Sequence, residues 1–154
     1  MEEKNKSIPF PQANDFDKIL RILNIDEENK ISDKHYMSIQ LDMITERQVQ
    51  YYVSACTYLG LINEKKEFTE IAYELRNKNS SEQTVELARL IVSDKIFGTA
   101  YFMQKMYHIK LTTDDIVDIM KENKVLFDSE AMYTRRAQTV SSWLAWIDDE
   151  LEKK

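Results

Sequence analysis

Only two glycines and two prolines occur in the 154 residues, and both prolines, Pro9 and Pro11, lie near the N-terminus. A strand-rich fold needs more turn punctuation than that, so an almost wholly helical body is expected. Gly60 and Gly98 alone cannot write a G-x-G or G-x-x-x-x-G-K-[ST] loop, which argues against nucleotide binding. The single cysteine, Cys56, excludes an internal disulfide, and with His35 and His108 it cannot build a closed structural zinc site. No apolar run approaches membrane-spanning length, and no apolar segment follows the polar start Met1–Lys6. The expectation is a cytoplasmic protein with no metal, no cofactor and no membrane partner.

What is present is a hydrophobic content of 43%, enough to bury a real core, and a net charge of -6 that is unevenly spread. Acidic residues crowd positions 15–33, 114–130 and 148–152, whereas positions 47–63 and 131–147 contain none. Phosphate neutralisation takes Lys and Arg, so the acid-free windows are where a nucleic-acid contact would have to lie.

The pattern divides the chain into an extended arm over 1–12, a first module over 13–79 and a second over 80–154. Phe16, Ile19, Leu20 and Leu23 predict a helix over about 14–23. Ser32 is the expected N-cap of the next, which would carry Tyr36, Ile39 and Met43. Thr45-Glu-Arg-Gln48 has the form of a capping box and opens a helix to Leu59, where Gly60 supplies a left-handed stop. Residues 61–63 and 67–69 around Glu64-Lys65-Lys66 suit a short two-stranded hairpin, followed by a helix carrying Ile71 and Leu75. Ser80-Ser-Glu-Gln83 repeats the capping-box form. A helix over 96–107, rich in aromatics and methionine, is expected to be a buried packing element. Thr112 or Thr113 caps a short helix with Ile116, Ile119 and Met120, and after a connection of about ten residues a last helix spans 132–147.

Two of these helices are alike. Aligning Arg47 with Arg135 sets RQVQYYVSACTYL against RRAQTVSSWLAWI without a gap, and the identities are Arg47/Arg135, Gln50/Gln138 and Ser54/Ser142. Their spacing of three then four residues places them on one helix face. Val49/Ala137, Tyr52/Val140, Cys56/Leu144 and Leu59/Ile147 step along the opposite side. Any amphipathic helix repeats a core face, whereas a repeated polar face points to a shared task. Arginine suits the guanine edge, glutamine the adenine edge, and serine a base or phosphate oxygen. Each module then reads as a helix-turn-helix whose second helix enters the major groove of duplex DNA. Gln48, Tyr51, Arg136 and Thr139 flank the stripe, and Lys65 and Lys66 at the hairpin tip are expected phosphate contacts.

Tyr58-Leu-Gly-Leu-Ile62 followed by Phe68-Thr-Glu-Ile-Ala72 resembles the recognition-helix end, wing and wing exit of winged-helix proteins, with Ala72 in place of the usual glycine. Pro9-Phe-Pro-Gln-Ala13, Thr45–Tyr52 and Tyr133–Ile147 are similar to tandem winged-helix modules found with type II restriction and nicking endonucleases. The resemblance implies a mainly α, winged helix-turn-helix fold, two tandem modules with a minimal β-wing in the first, and a DNA-recognition role. Too few residues follow position 147 for a second wing, so the expectation is a regulator, a specificity subunit or a fragment. Its partners would be double-stranded DNA, a nuclease domain or subunit, and a second copy in a homodimer.

No catalytic centre is expected. Glu28-Asn-Lys30, Glu64-Lys-Lys66 and Glu122-Asn-Lys124 match the Glu-x-Lys of a restriction-type metal site, but at 31% charged residues such matches arise by chance. His35 and His108 have no nucleophile beside them in sequence. Cys56 belongs to an apolar stripe and reads as an inert buried thiol. Trp143 and Trp146 divide between core and interface in this reading. Two other functions stay open: a protein-interaction or scaffolding module using the aromatic helix and the tryptophans, and a ligand-sensing transcriptional regulator with an apolar cavity in its second half.

Overall fold

The computed structural model describes residues 8–153. It is mainly helical, with eight α-helices and a 3-10 turn among the described residues, and clusters into two compact units, Met1–Gln83 and Thr84–Lys154. The division between them falls between positions 83 and 84. No helix among the described residues is long and apolar enough to cross a membrane.

In the first unit, α1 (Phe16–Leu23) starts at Asp15, whose carboxylate accepts from the Asp17 amide, and buries Phe16, Ile19, Ile22 and Leu23. Ile22 takes the core place expected of Leu20. α2 (Lys34–Gln40) is capped by Asp33, which accepts from the Tyr36 amide, one residue beyond the expected Ser32. Met37 is the buried residue of this helix, while Ile39, and Met43 beyond its end, are exposed instead of forming a stripe. α3 (Glu46–Tyr58) begins with the expected capping box: the Gln48 amide donates to Thr45 Oγ1 and the Thr45 amide to Gln48 Oε1, both at 3.1 Å. It packs on both α1 and α2 and buries Val49, Tyr52, Val53, Ala55 and Cys56.

Gly60, at φ 82°, reverses the chain after α3, a backbone conformation that costs a side-chain-bearing residue about 1 kcal/mol or more. The expected hairpin is reduced to one antiparallel bridge, Ile62 to Phe68, because Asn63 folds the intervening residues into a tight turn. Its side-chain oxygen accepts from the Lys65 and Glu67 amides at 2.8 and 3.1 Å. Thr69 then caps α4 (Glu70–Arg76), which buries Ala72 and Leu75 and leaves Ile71 exposed. Polar links tie the ends of this unit together. Arg76 donates to the carbonyls of Leu23 and Ile25 at 2.5 and 3.0 Å while lying over the Phe68 ring. Buried Gln83 donates to the Leu75 carbonyl and exchanges two hydrogen bonds with Asn24.

The helix α5 (Ser80–Ser93) is preceded by a reciprocal pair one residue earlier than expected. The Glu82 amide donates to Asn79 Oδ1 at 2.8 Å, and the Asn79 amide donates to Glu82 Oε1 at 3.3 Å. Gln83 is thereby released for the buried role just described.

In the second unit, α6 (Lys95–Tyr107) is capped by Asp94 and ends at His108 in the left-handed conformation. α7 (Thr113–Glu122) opens with a Thr112/Asp115 capping box, and α8 (Glu130–Glu152) is capped by Ser129. α8 starts two residues before the expected 132, which shortens the connection to residues 123–129. α7 and α8 pack on each other and both pack on α6. The centre is fully buried Trp143 stacked on Phe97, centroids 4.8 Å apart; Trp146 is also buried, so neither tryptophan is a surface residue. α6 is not the buried element expected of its composition: Ile96, Phe97 and Ala100 face the core, and Phe102, Met106 and Tyr107 are exposed.

Gly98 sits where a Cβ would lie 2.3 Å from the Val92 carbonyl oxygen, so α6 approaches the end of α5 closer than any other residue permits. Gly98→Ala is therefore expected to destabilise the chain by about 2 kcal/mol or more, since the obstacle is backbone rather than a movable side chain. Gly60→Ala, with open space around the added methyl, costs about 1 kcal/mol from its dihedral angle alone. Urea unfolding of the two variants checks the order, and a Gly98→Ala variant as stable as the parent would refute the close approach.

Candidate nucleic-acid interface

The polar stripe read from the sequence lies on the outer side of α3. Arg47 and Gln50 are exposed and Ser54 is half-buried, while Val49, Tyr52, Val53 and Cys56 turn inward. α8 repeats the arrangement in its own unit. Arg135 and Gln138 are exposed and Ser142 half-buried; Ala137, Val140, Leu144 and Ile147 are buried. Identical residues in the two helices thus have matching exposure, and so do the paired core positions.

The neighbours of the stripe differ between the units. On α3, Arg47 Nε donates to the Tyr51 hydroxyl at 2.9 Å and its guanidinium lies 5.8 Å from the Tyr51 ring centroid. Tyr51 is half-buried and holds the guanidinium against the helix, lowering the entropy lost when it meets an acceptor. Gln48 is exposed, but its carboxamide oxygen is engaged by the Thr45 amide, which leaves its nitrogen as the outward-facing group. Lys65 and Lys66 stand exposed at the tip of the Asn63 turn, Lys66 at φ 65°.

On α8 the flanking positions are corrected. Thr139 is fully buried, its hydroxyl donating to the Arg135 carbonyl, and Arg136 is 8% exposed with its guanidinium 4.7 Å from the centre of the Phe127 ring. Both side chains lie in the core rather than on the stripe. Arg136, Thr139, Val140 and Trp143 share a buried helix face, so the buried side of α8 takes in the positions that on α3 are held by exposed Gln48 and half-buried Tyr51. The alignment fixed the centre of the polar stripe but not its width.

Two grooves flank the α3 stripe. One, of about 510 Å3, runs between the arm at Ile8 and Pro9, the start of α2 at Ser32 and Lys34, and the turn at Glu64 and Lys66, over a floor that includes Gln50 and Ser54. The other, of about 300 Å3, joins Arg47, Gln50, Tyr51 and Ser54 to Gln12 of the arm. The arm is seated by Phe10, buried edge-on against Tyr58 with centroids 5.6 Å apart. Lys34, whose ammonium lies 3.5 Å from Gln50 Oε1, and Gln12 were missed in the sequence. Lys34 carries a readable signal, since the first residue of a capped helix preceding the stripe lies beside it; Gln12 depends on the path of the arm and carries none.

This arrangement offers hydrogen-bond donors and acceptors together with exposed cations, and it lacks a nucleophile with a base. Cys56 is buried and its thiol is pushed far up by that burial, which keeps it protonated. Among the described residues no three His, Cys, Asp or Glu side chains are grouped so as to hold a metal ion.

A family model described as a domain of unknown function (DUF7226) matches residues 18–152, from within α1 to the end of α8. The chain belongs to that family. No curated protein and no solved structure matches it. The DUF7226 match takes in both units and both copies of the Arg-x-x-Gln-x-x-x-Ser stripe, so the repeat is internal to the family domain.

Arg136→Ala and Thr139→Asp are expected to lower the unfolding free energy by about 1–3 kcal/mol, because each disturbs a buried site. Arg135→Ala and Gln138→Ala should stay within about 0.5 kcal/mol of the parent. Urea titrations of the four variants would contradict the placement if the order were reversed.

Proposed function

We propose that this chain binds duplex DNA through two helix-turn-helix modules, with α3 and α8 as the recognition helices and the Asn63 turn as a minimal wing on the first. The observation that carries this reading is the repeated stripe: arginine, glutamine and serine at the same register and the same exposure on the third helix of each three-helix set. Packing alone would repeat the inner face and leave the outer one free to vary.

In the first unit, Arg47, Gln50 and Ser54 read base edges, Tyr51 steadies Arg47, Gln48 offers an amide donor, and Lys34, Lys65 and Lys66 meet phosphates. In the second, Arg135, Gln138 and Ser142 read alone, because Arg136 and Thr139 serve the core. The first unit therefore supplies more of the affinity. The net charge of -6 disfavours non-specific adhesion to DNA and leaves binding dependent on these few cations. Such a protein acts as a regulator or as the specificity part of a restriction-type system.

Binding of the full chain to random duplexes over a salt titration, followed by selection of bound sequences, tests this. A defined motif should emerge, with affinity falling steeply as salt rises. Arg47→Ala and Arg135→Ala should each lose about 1–3 kcal/mol on the selected site and relax the preference at one position. Lys66→Ala should weaken all sequences alike and reduce the salt slope. An absence of binding at low salt, or Arg47→Ala and Arg135→Ala variants that both keep the parent affinity, would refute the assignment.

A further inference from the structure

The arm ahead of α1 is held at several points. Phe10 is buried edge-on against Tyr58, Ala13 is buried, and the Asp15 amide donates to the Tyr52 hydroxyl at 3.0 Å. Pro9 and Pro11 restrict the backbone between these anchors, each holding its own φ near about -65°. An arm anchored in this way keeps one path and loses little entropy when a ligand meets it. That path leads across the outer face of α3. Pro9, Gln50 and Ser54 border both grooves beside the helix, whereas Ile8 borders only the larger and Gln12 only the smaller. The chain therefore passes from one groove to the other beside Ser54, leaves Arg47 and Gln50 exposed, and brings Gln12 into the groove they share.

The chemistry of this smaller groove is uniform. A guanidinium, two carboxamides, a phenol and a hydroxyl line it and no carboxylate does, whereas the larger groove includes Glu64. Tyr51 takes Arg47 Nε, so the two terminal nitrogens of the guanidinium remain as a side-by-side pair of donors, the arrangement that matches O6 and N7 of guanine. Gln12 is half-buried, and its carboxamide has no hydrogen-bond partner among the described residues. It presents a donor and an acceptor together, which match N7 and N6 of adenine. An acidic peptide offers carboxylate acceptors and would leave the carboxamide oxygens unmatched, so base edges fit this set better.

We propose that the arm is a second reading element of the first unit, in which Gln12 contacts a base pair next to the one that Arg47 reads. The inference rests on the DNA-binding reading of α3 and adds a residue that reading does not use. A groove of about 300 Å3 spans about two base pairs at a rise of about 3.4 Å each, so the two side chains address neighbouring positions. The anchors at Phe10 and Ala13 fix the arm on either side of Gln12, as the core side of α3 fixes Arg47.

Selection of bound duplexes by the full chain, run in parallel for the parent, Gln12→Ala, Gln12→Glu and Arg47→Ala, tests this. Gln12→Ala should lose the preference at one base pair adjacent to the pair relaxed by Arg47→Ala. It should bind the parent's selected site about five- to a hundredfold more weakly while keeping the parent's circular dichroism. Gln12→Glu should shift the preferred base at that same pair toward cytosine, whose amino group donates to a carboxylate. A new preference at a single position is a result that a displaced arm or misfolding could not produce. Unaltered preferences in both Gln12 variants overturn the proposal, as does a loss of affinity shared equally by all sequences. The DNA-binding reading survives either of those results if Arg47→Ala still relaxes its own position, and falls together with the proposal if the parent selects no motif.

Discussion

The rotation of α3 about its own axis is the constraint on which the first unit depends. Val49, Tyr52, Val53 and Cys56 must face α1 and α2, and once they do, the directions of Arg47, Gln50 and Ser54 are settled with no further choice. The Thr45/Gln48 capping box fixes where that rotation begins, and Gly60 fixes where it ends. A slip of one residue would turn the helix by about 100° and bury part of the stripe, exposing core in its place. Fully burying such a core side chain contributes about 1.5–3 kcal/mol, so the register that serves the core is held firmly.

α8 answers to the same constraint. Stacked Phe97 and Trp143 set its rotation, and Arg136 and Thr139 lie on its buried side as well. The polar stripe that survives is narrower, and the guanidinium of Arg136 is spent on Phe127. The two units therefore keep one design at the level of the central residues and differ at the margins, where packing demand differs.

Much of this was legible in the sequence because it is local. Thr45-Glu-Arg-Gln48 and Gly60 act within a turn or two of chain, and each acts as read; of the two threonines offered as a cap for α7, Thr112 takes the place and Asp115 completes a box not read beforehand. Where two acceptors compete one residue apart, sequence chose the wrong one: Asp33 caps in place of Ser32, and the Asn79/Glu82 pair precedes the Ser80/Gln83 pair, since Gln83 has a better use against Leu75 and Asn24. The exposures of Ile39, Met43, Phe102 and Met106 were not legible at all. A hydrophobic residue is read as core by default, and only the packing of other elements shows which apolar positions are left outside. Of the candidate site, the centre of each stripe follows from periodicity, whereas the burial of Thr139 and Arg136 and the approach of Lys34 and Gln12 depend on neighbours distant in the chain.

The most direct test of the central claim, that the two outer faces act as reading surfaces, is amide chemical-shift mapping of the full chain titrated with a selected duplex. The account predicts perturbations concentrated on α3 around Arg47, Gln50 and Ser54 and on α8 around Arg135, Gln138 and Ser142, with smaller changes at Lys34 and the Asn63 turn. Perturbations confined to other surfaces, or a spectrum unchanged by the duplex, would contradict it.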